Sequence, residues 1–180
     1  MKKPKFPAHL SLEVFRAEGA FELVGATNHR ELGFWALECA ERVLHYYEDQ
    51  YPDDHRPRQA LEALLAWIDT GAFSMKTIRR ASLDAHAAAK EIGNDSPAAS
   101  AAHAAGQAVG TAHVPMHCLG AANYSLQAVY RAVPDLNEAE TAVASMRKWQ
   151  LYRLRNLKEN GGDTNPSSDS LWRDGGFRNR

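Results

Sequence analysis

A chain of 180 residues suffices for one compact domain with its own core, and two domains would be crowded. With 21 basic against 22 acidic residues and a formal charge of -1, it lacks the global field that draws in nucleic acid or an anionic membrane, so any partner is recognised by a local patch. Cys39 and Cys118, the two cysteines, are too few for a disulfide framework and exclude zinc held by cysteines alone.

The opening MKKPKFPAHLSLEVF is basic but has no apolar run of signal length, which predicts a cytoplasmic protein. A short helix or turn is expected around Leu10 to Val24, diluted by Gly19 and Gly25. Asn28 stands to cap a helix over 29–49, where Leu32, Trp35, Ala36, Cys39, Val43 and Tyr46 recur at helical spacing and Glu31 follows the cap by three. In YPDDHRPRQALEALLAWIDTG, Asp53 or Asp54 suits a cap, Pro57 a first turn and Gly71 a stop, so a helix runs from about Arg56 to Asp69. Ser74 caps the next, whose Ile78, Ala81, Ala85, Ala88 and Ile92 share one face before Gly93 ends it. Ser96 and Pro97 open another.

From Pro97 to Tyr130 there is no Asp, Glu, Lys or Arg, which marks a segment covered on most sides. Its alanines, three histidines, Gln107 and Asn123 argue against the competing reading, a membrane span. A straight helix of that length would reach about 50 Å, against a domain diameter of about 40 Å. Pro115 supplies the break, near Thr111 to Pro115. Pro134 ends the second half, and Asp135 or Asn137 caps a last helix to about Glu159. Beyond it the chain is rich in Gly, Ser, Asn and Asp, the composition of a flexible segment, with Leu171, Trp172 and Phe177 able to dock it. The fold expected is an all-α, compact single-domain bundle of about six helices around an Ala-rich, uncharged central helical hairpin. It has a partly helical N-terminal extension over 1–27, a helical domain over 28–159 and a flexible tail over 160–180.

Two stretches carry candidate chemistry. On an unbroken helix His103, Gly106, Gly110, His113, His117 and Tyr124 would share one stripe, with His86 on the preceding helix as an outside partner. Histidines at i and i+4 suit a metal ion or a proton relay, with Asp54 to orient a histidine or Tyr124 to supply a hydroxyl. The other reading is a packed seam in which glycines admit a neighbouring helix and each imidazole meets a buried acceptor; no metal is favoured. The second stretch, PDDHRPR, gathers Asp53, Asp54, Arg56 and Arg58, either as the start of a helix or as a rigid charged patch for a partner. No serine elbow, phosphate loop or dinucleotide fingerprint is present, and Cys39 lies on an apolar helix face, where a core residue is expected. Arg147, Lys148, Arg153 and Arg155 interleave with Trp149 and Tyr152 on the last helix, as in an amphipathic cover helix with snorkelling arginines.

The succession HRELGFWALECAERVLHYYE, PDDHRPRQALEALLAWIDTG, AHAAAKEIG and AAHAAGQAVGTAHVPMHCLGAANYSLQAV, with KWQLYRLRNL near the end, resembles a bacterial helical family of Imm-five-like immunity proteins. The likeness extends from about Asn28 to Leu157 and includes Asp54, Arg56, Arg58, His86, His113, His117 and Tyr124. It departs at Met116 and Cys118, where smaller residues are expected. The resemblance implies a small cytoplasmic bacterial protein, not an enzyme and without a cofactor, that neutralises a cognate protein toxin by binding it. Nucleic acid and membrane are not expected as partners, and a homodimer is compatible with it. The alternative is a metal-binding or histidine-dependent enzyme or sensor built around His86, His113 and His117, with Tyr124 in the cluster.

Overall fold

The computed structural model describes residues 5–93 and 95–160; Leu171, Trp172, Phe177 and all of the expected tail after Asn160 lie outside these. Among the described residues a 3-10 turn at Ala8–Leu10 is followed by eight α-helices and no strand. These are α1 (Leu12–Ala17), α2 (Ala20–Gly25), α3 (His29–Glu48), α4 (Arg56–Thr70), α5 (Met75–Glu91), α6 (Pro97–Gly110), α7 (His117–Ala132) and α8 (Leu136–Asn160).

The six long helices, α3 to α8, form where hydrophobic spacing and capping residues direct them. Each cap satisfies one of the backbone N–H groups that a helix start leaves without a partner. Asn28 accepts from the Glu31 N–H at 2.9 Å, Ser96 from Ala99 at 3.0 Å and Asp135 from Glu138 at 3.0 Å. Ser74 accepts from Thr77 at a longer 3.3 Å. At α4 the N-cap residue His55 makes no side-chain bond, and Asp54, one residue earlier, accepts instead from the Arg56 N–H at 3.1 Å, with Pro57 in the first turn. The one expected segment at Leu10 to Val24 is two helices, because Gly19 takes a left-handed φ of 78° and turns the chain between them.

α6 is the axis of the bundle. Every residue from Ala98 to Gly110 is buried except Gln107, and α3, α4, α5 and α7 surround it. Alanine makes this possible, since small side chains let neighbouring helix axes approach closely. The expected hairpin is α6 and α7, joined through Thr111 to Met116. α8 lies across α7 and α3, sending Val143, Met146, Gln150, Leu154 and Leu157 inward at three- and four-residue spacing. Phe15, Ala20 and Val24 are buried, so the residues before α3 also contribute to the core. Ties between connections fix the two ends: His29 and Arg30 donate to the carbonyls of Thr111 and Asp69 at one, and Arg56 meets Glu91 at the other. No helix among the described residues is long and apolar enough to cross a membrane.

Candidate functional site

The uncharged segment does bring its histidines together, but by folding back rather than along one helix. Across the antiparallel α6–α7 hairpin His103 faces Tyr124, Gln107 faces Gly120 and Gly110 faces His117. α5 adds His86 from the other side. Its Nδ1 lies 2.8 Å from Nδ1 of His103, so one imidazole donates and the other accepts, and the pair is satisfied when neutral. Burial lowers the His86 pKa, with Lys90 and His117 adding to the effect. His103 falls to about 4, again through burial first and then through His86, Lys90 and Arg131. The His103 ring also stacks at 4.9 Å on Tyr124.

Glycines make room for these rings. A Cβ on Gly106 would sit 2.9 Å from the His86 ring, and one on Gly120 only 2.5 Å from the Gln107 amide oxygen. That oxygen accepts from His117 Nδ1 at 2.7 Å, which fixes the amide over the hairpin. Burial, then His113, lowers the His117 pKa. His113 stacks at 5.2 Å on His117, and its own Nδ1 is buried without a hydrogen-bond partner among the described residues. Among those residues no three His, Cys, Asp or Glu side chains converge so as to hold a metal ion. Asp54, once a candidate to orient a histidine, bonds instead to Tyr47 and Arg56. Cys39 and Cys118 are both fully buried; burial raises both thiols, Cys118 to about 12, which leaves neither as a ready nucleophile.

The charged stretch folds into the corner between α3 and α4. Tyr47 donates to Asp54 Oδ2 at 2.6 Å, and the Arg56 guanidinium forks between Asp54 (2.6 Å) and Glu91 of α5 (2.6 Å). Hydrogen bonds from Arg56 hold the Asp54 carboxyl well below the usual carboxylate range. Arg58 lies deeper and bonds Glu41 at 2.6 Å and Glu48 at 2.8 Å. Burial pushes Glu41 up to about 7 despite the opposing pull of Arg58. Asp53 and His55 stand exposed at the rim.

Sequence reasoning missed several polar ties. Gln150, fully buried on α8, donates to the Ala122 carbonyl at 3.1 Å and to Ser125 Oγ at 2.8 Å, while its backbone carbonyl accepts from Trp35 Nε1 at 2.9 Å. The signal was available, since Gln150 occupies a core position in the 143, 146, 150, 154, 157 series. Arg153 bonds the buried Glu38 at 2.7 Å, and Arg147 bonds Glu18 at 3.2 Å. These pairs span distant segments and no local pattern announces them.

No curated protein and no solved structure matches the chain. A family model described as "Imm-5 like putative immunity protein" matches residues 22–157. That match takes in α3 to α7 and nearly all of α8, the hairpin with its histidines and the charged corner, and on it the chain belongs to the Imm-5 like putative immunity protein family.

Proposed function

We propose that the protein is a non-enzymatic inhibitor that acts in the bacterial cytoplasm and neutralises a cognate toxin by binding it directly. The family assignment over residues 22–157 carries this reading. Three of the inward polar ties support it, because they join groups to one another: His86 to His103, His117 to Gln107 and Arg58 to two carboxylates. General acid or base work needs a group turned toward a substrate, and these groups are turned toward their neighbours.

The proposed contact region is the α3–α4 corner. Asp53 and His55 form its exposed rim, Asp54 and Arg56 its rigid frame and Arg58 its footing. A frame fixed before contact keeps the entropy cost of binding low. The test is co-expression with candidate bacterial toxin domains. Growth rescue and recovery of an equimolar complex are expected; failure of both overturns the reading. The double variant Asp53→Ala/His55→Ala, confined to the exposed rim, should weaken the complex with little change in melting temperature. A steep loss of melting temperature would make the corner a cap rather than a contact.

A further inference from the structure

α5 is unevenly used by the fold. It sends only Ile78, Ala85, Ala88 and Ala89 fully into the core. Counting about 100° per residue, Lys76, Arg79, Arg80, Leu83, Ala87 and Lys90 fall in an arc of about 100° on the opposite side. Four of those six are cations, and the chain has no acidic residue between Asp69 and Asp84. Among the described residues Lys76, Arg79 and Lys90 take part in no salt bridge. Arg80 has a single exposed one, 3.5 Å from Asp84. Leu83, in the middle of the stripe, is 56% exposed, and Phe73 (48%) and Met75 (50%) stand exposed at its start.

Folding does not account for this pattern. Lys76 lies in the first turn of α5, which has no acidic residue, and Arg79 and Arg80 follow in the second. Cations there oppose the positive end of the helix dipole, and like charges three and four residues apart repel. In a chain with a formal charge of -1 the stripe is a local excess that destabilises its own helix. Its length, from residue 76 to 90, is about 21 Å. Glu91, clasped by Arg56, links it to the charged corner.

We propose that the outer face of α5 is a docking surface for an acidic protein, one whose carboxylates flank an apolar pocket that receives Leu83, with Phe73 and Met75 at the edge. The cations steer the encounter, and the exposed apolar side chains set the lifetime of the complex. A nucleic-acid duplex offers phosphates but no pocket for three large apolar side chains. A lipid surface needs a broader apolar face than Leu83 on the stripe with Phe73 and Met75 at one end. The identification of this partner with the toxin rests on the proposed function; the chemistry of the surface does not.

The full-length protein is titrated with a labelled amphipathic peptide of alternating Glu and Leu blocks, with a DNA duplex and with phosphatidylglycerol vesicles. The Lys76→Glu/Arg79→Glu/Arg80→Glu variant should fold as well as the parent or better, since it places acids near the helix start. Saturable peptide binding is expected, weakened about tenfold or more by this charge reversal and severalfold by Leu83→Ser. The proposal falls if the peptide is ignored, if the variants bind it equally, or if duplex or vesicles bind more tightly than the peptide. A toxin held equally by parent and charge-reversed protein removes the surface and leaves the proposed function standing. A toxin held by neither removes the function, while the peptide titration still decides the surface.

Discussion

At Gly106 the space for a side chain is already occupied by the His86 ring, 2.9 Å from where a Cβ would stand. Gly106→Ala must push that ring off His103, and overpacking of this kind costs about 1–3 kcal/mol. Gly25 is the control, since a Cβ added there would meet nothing within 4 Å; Gly25→Ala should be neutral or stabilise by a few tenths of a kcal/mol. Thermal melts of the two variants check both, and equal midpoints would refute the close fit. The importance of Gly106 was legible, because a glycine beside histidines in an alanine run invites a close neighbour. That the neighbour is His86 was half legible: the sequence proposed it as an outside partner, but the ring that it meets, His103, depends on the register of α5 against α6, which no local pattern encodes.

Arg58 and Gln150 show how helices are tied to one another. Arg58 of α4 holds Glu41 and Glu48 of α3, and Glu41 is nearly buried beside it. Arg58→Ala leaves that carboxylate without its partner and should destabilise by about 2–4 kcal/mol, as breaking a largely buried pair does. The loss should be smaller at pH 5 than at pH 8. The Glu41 pKa is raised, so its protonated form suits the fold, and that contribution is present below the ordinary carboxyl value and lost as pH rises through about 7. Denaturant melts at the two pH values test the sign. Gln150 is the opposite case. Its amide donates twice, but its Oε1 has no partner among the described residues. Gln150→Met keeps the volume and removes the orphaned oxygen, so it should cost under about 1.5 kcal/mol. Gln150→Ala adds a cavity and should cost about 2–3 kcal/mol. At this scale the sequence was most readable: caps, Pro57, Gly71 and Pro115 placed six helices to within a residue or two. Gly19 was read as dilution of one helix, since composition alone does not show that it takes a left-handed φ and makes two.

For the molecule as a whole, the neutral histidines set the acid limit. His103 falls to about 4 in the fold, and His86 and His117 shift the same way. Between about 4 and the unperturbed 6.5 the unfolded chain binds more protons than the folded one, so stability rises with pH across that window and is lost as pH falls through it. Each such histidine contributes up to about 1.4 kcal/mol per pH unit. Glu41 works the other way over the same range, so the test is the difference between two proteins: the midpoint of His103→Gln should fall less between pH 7 and pH 5 than that of the parent, and an equal pH dependence in the two would refute it. Elemental analysis of the parent and of His113→Ala/His117→Ala should give well under one equivalent of transition metal in both.

The burial of α6 on nearly every side has one more consequence. A helix enclosed by four others has no private way to open, so its amide hydrogens exchange with solvent only when the whole protein unfolds. Anything that binds only the folded state slows that exchange by a factor that grows with its free concentration over its Kd, wherever on the surface it lands. Deuterium uptake in the alanines of α6 is therefore an internal gauge of partner affinity, readable before the contact surface is known.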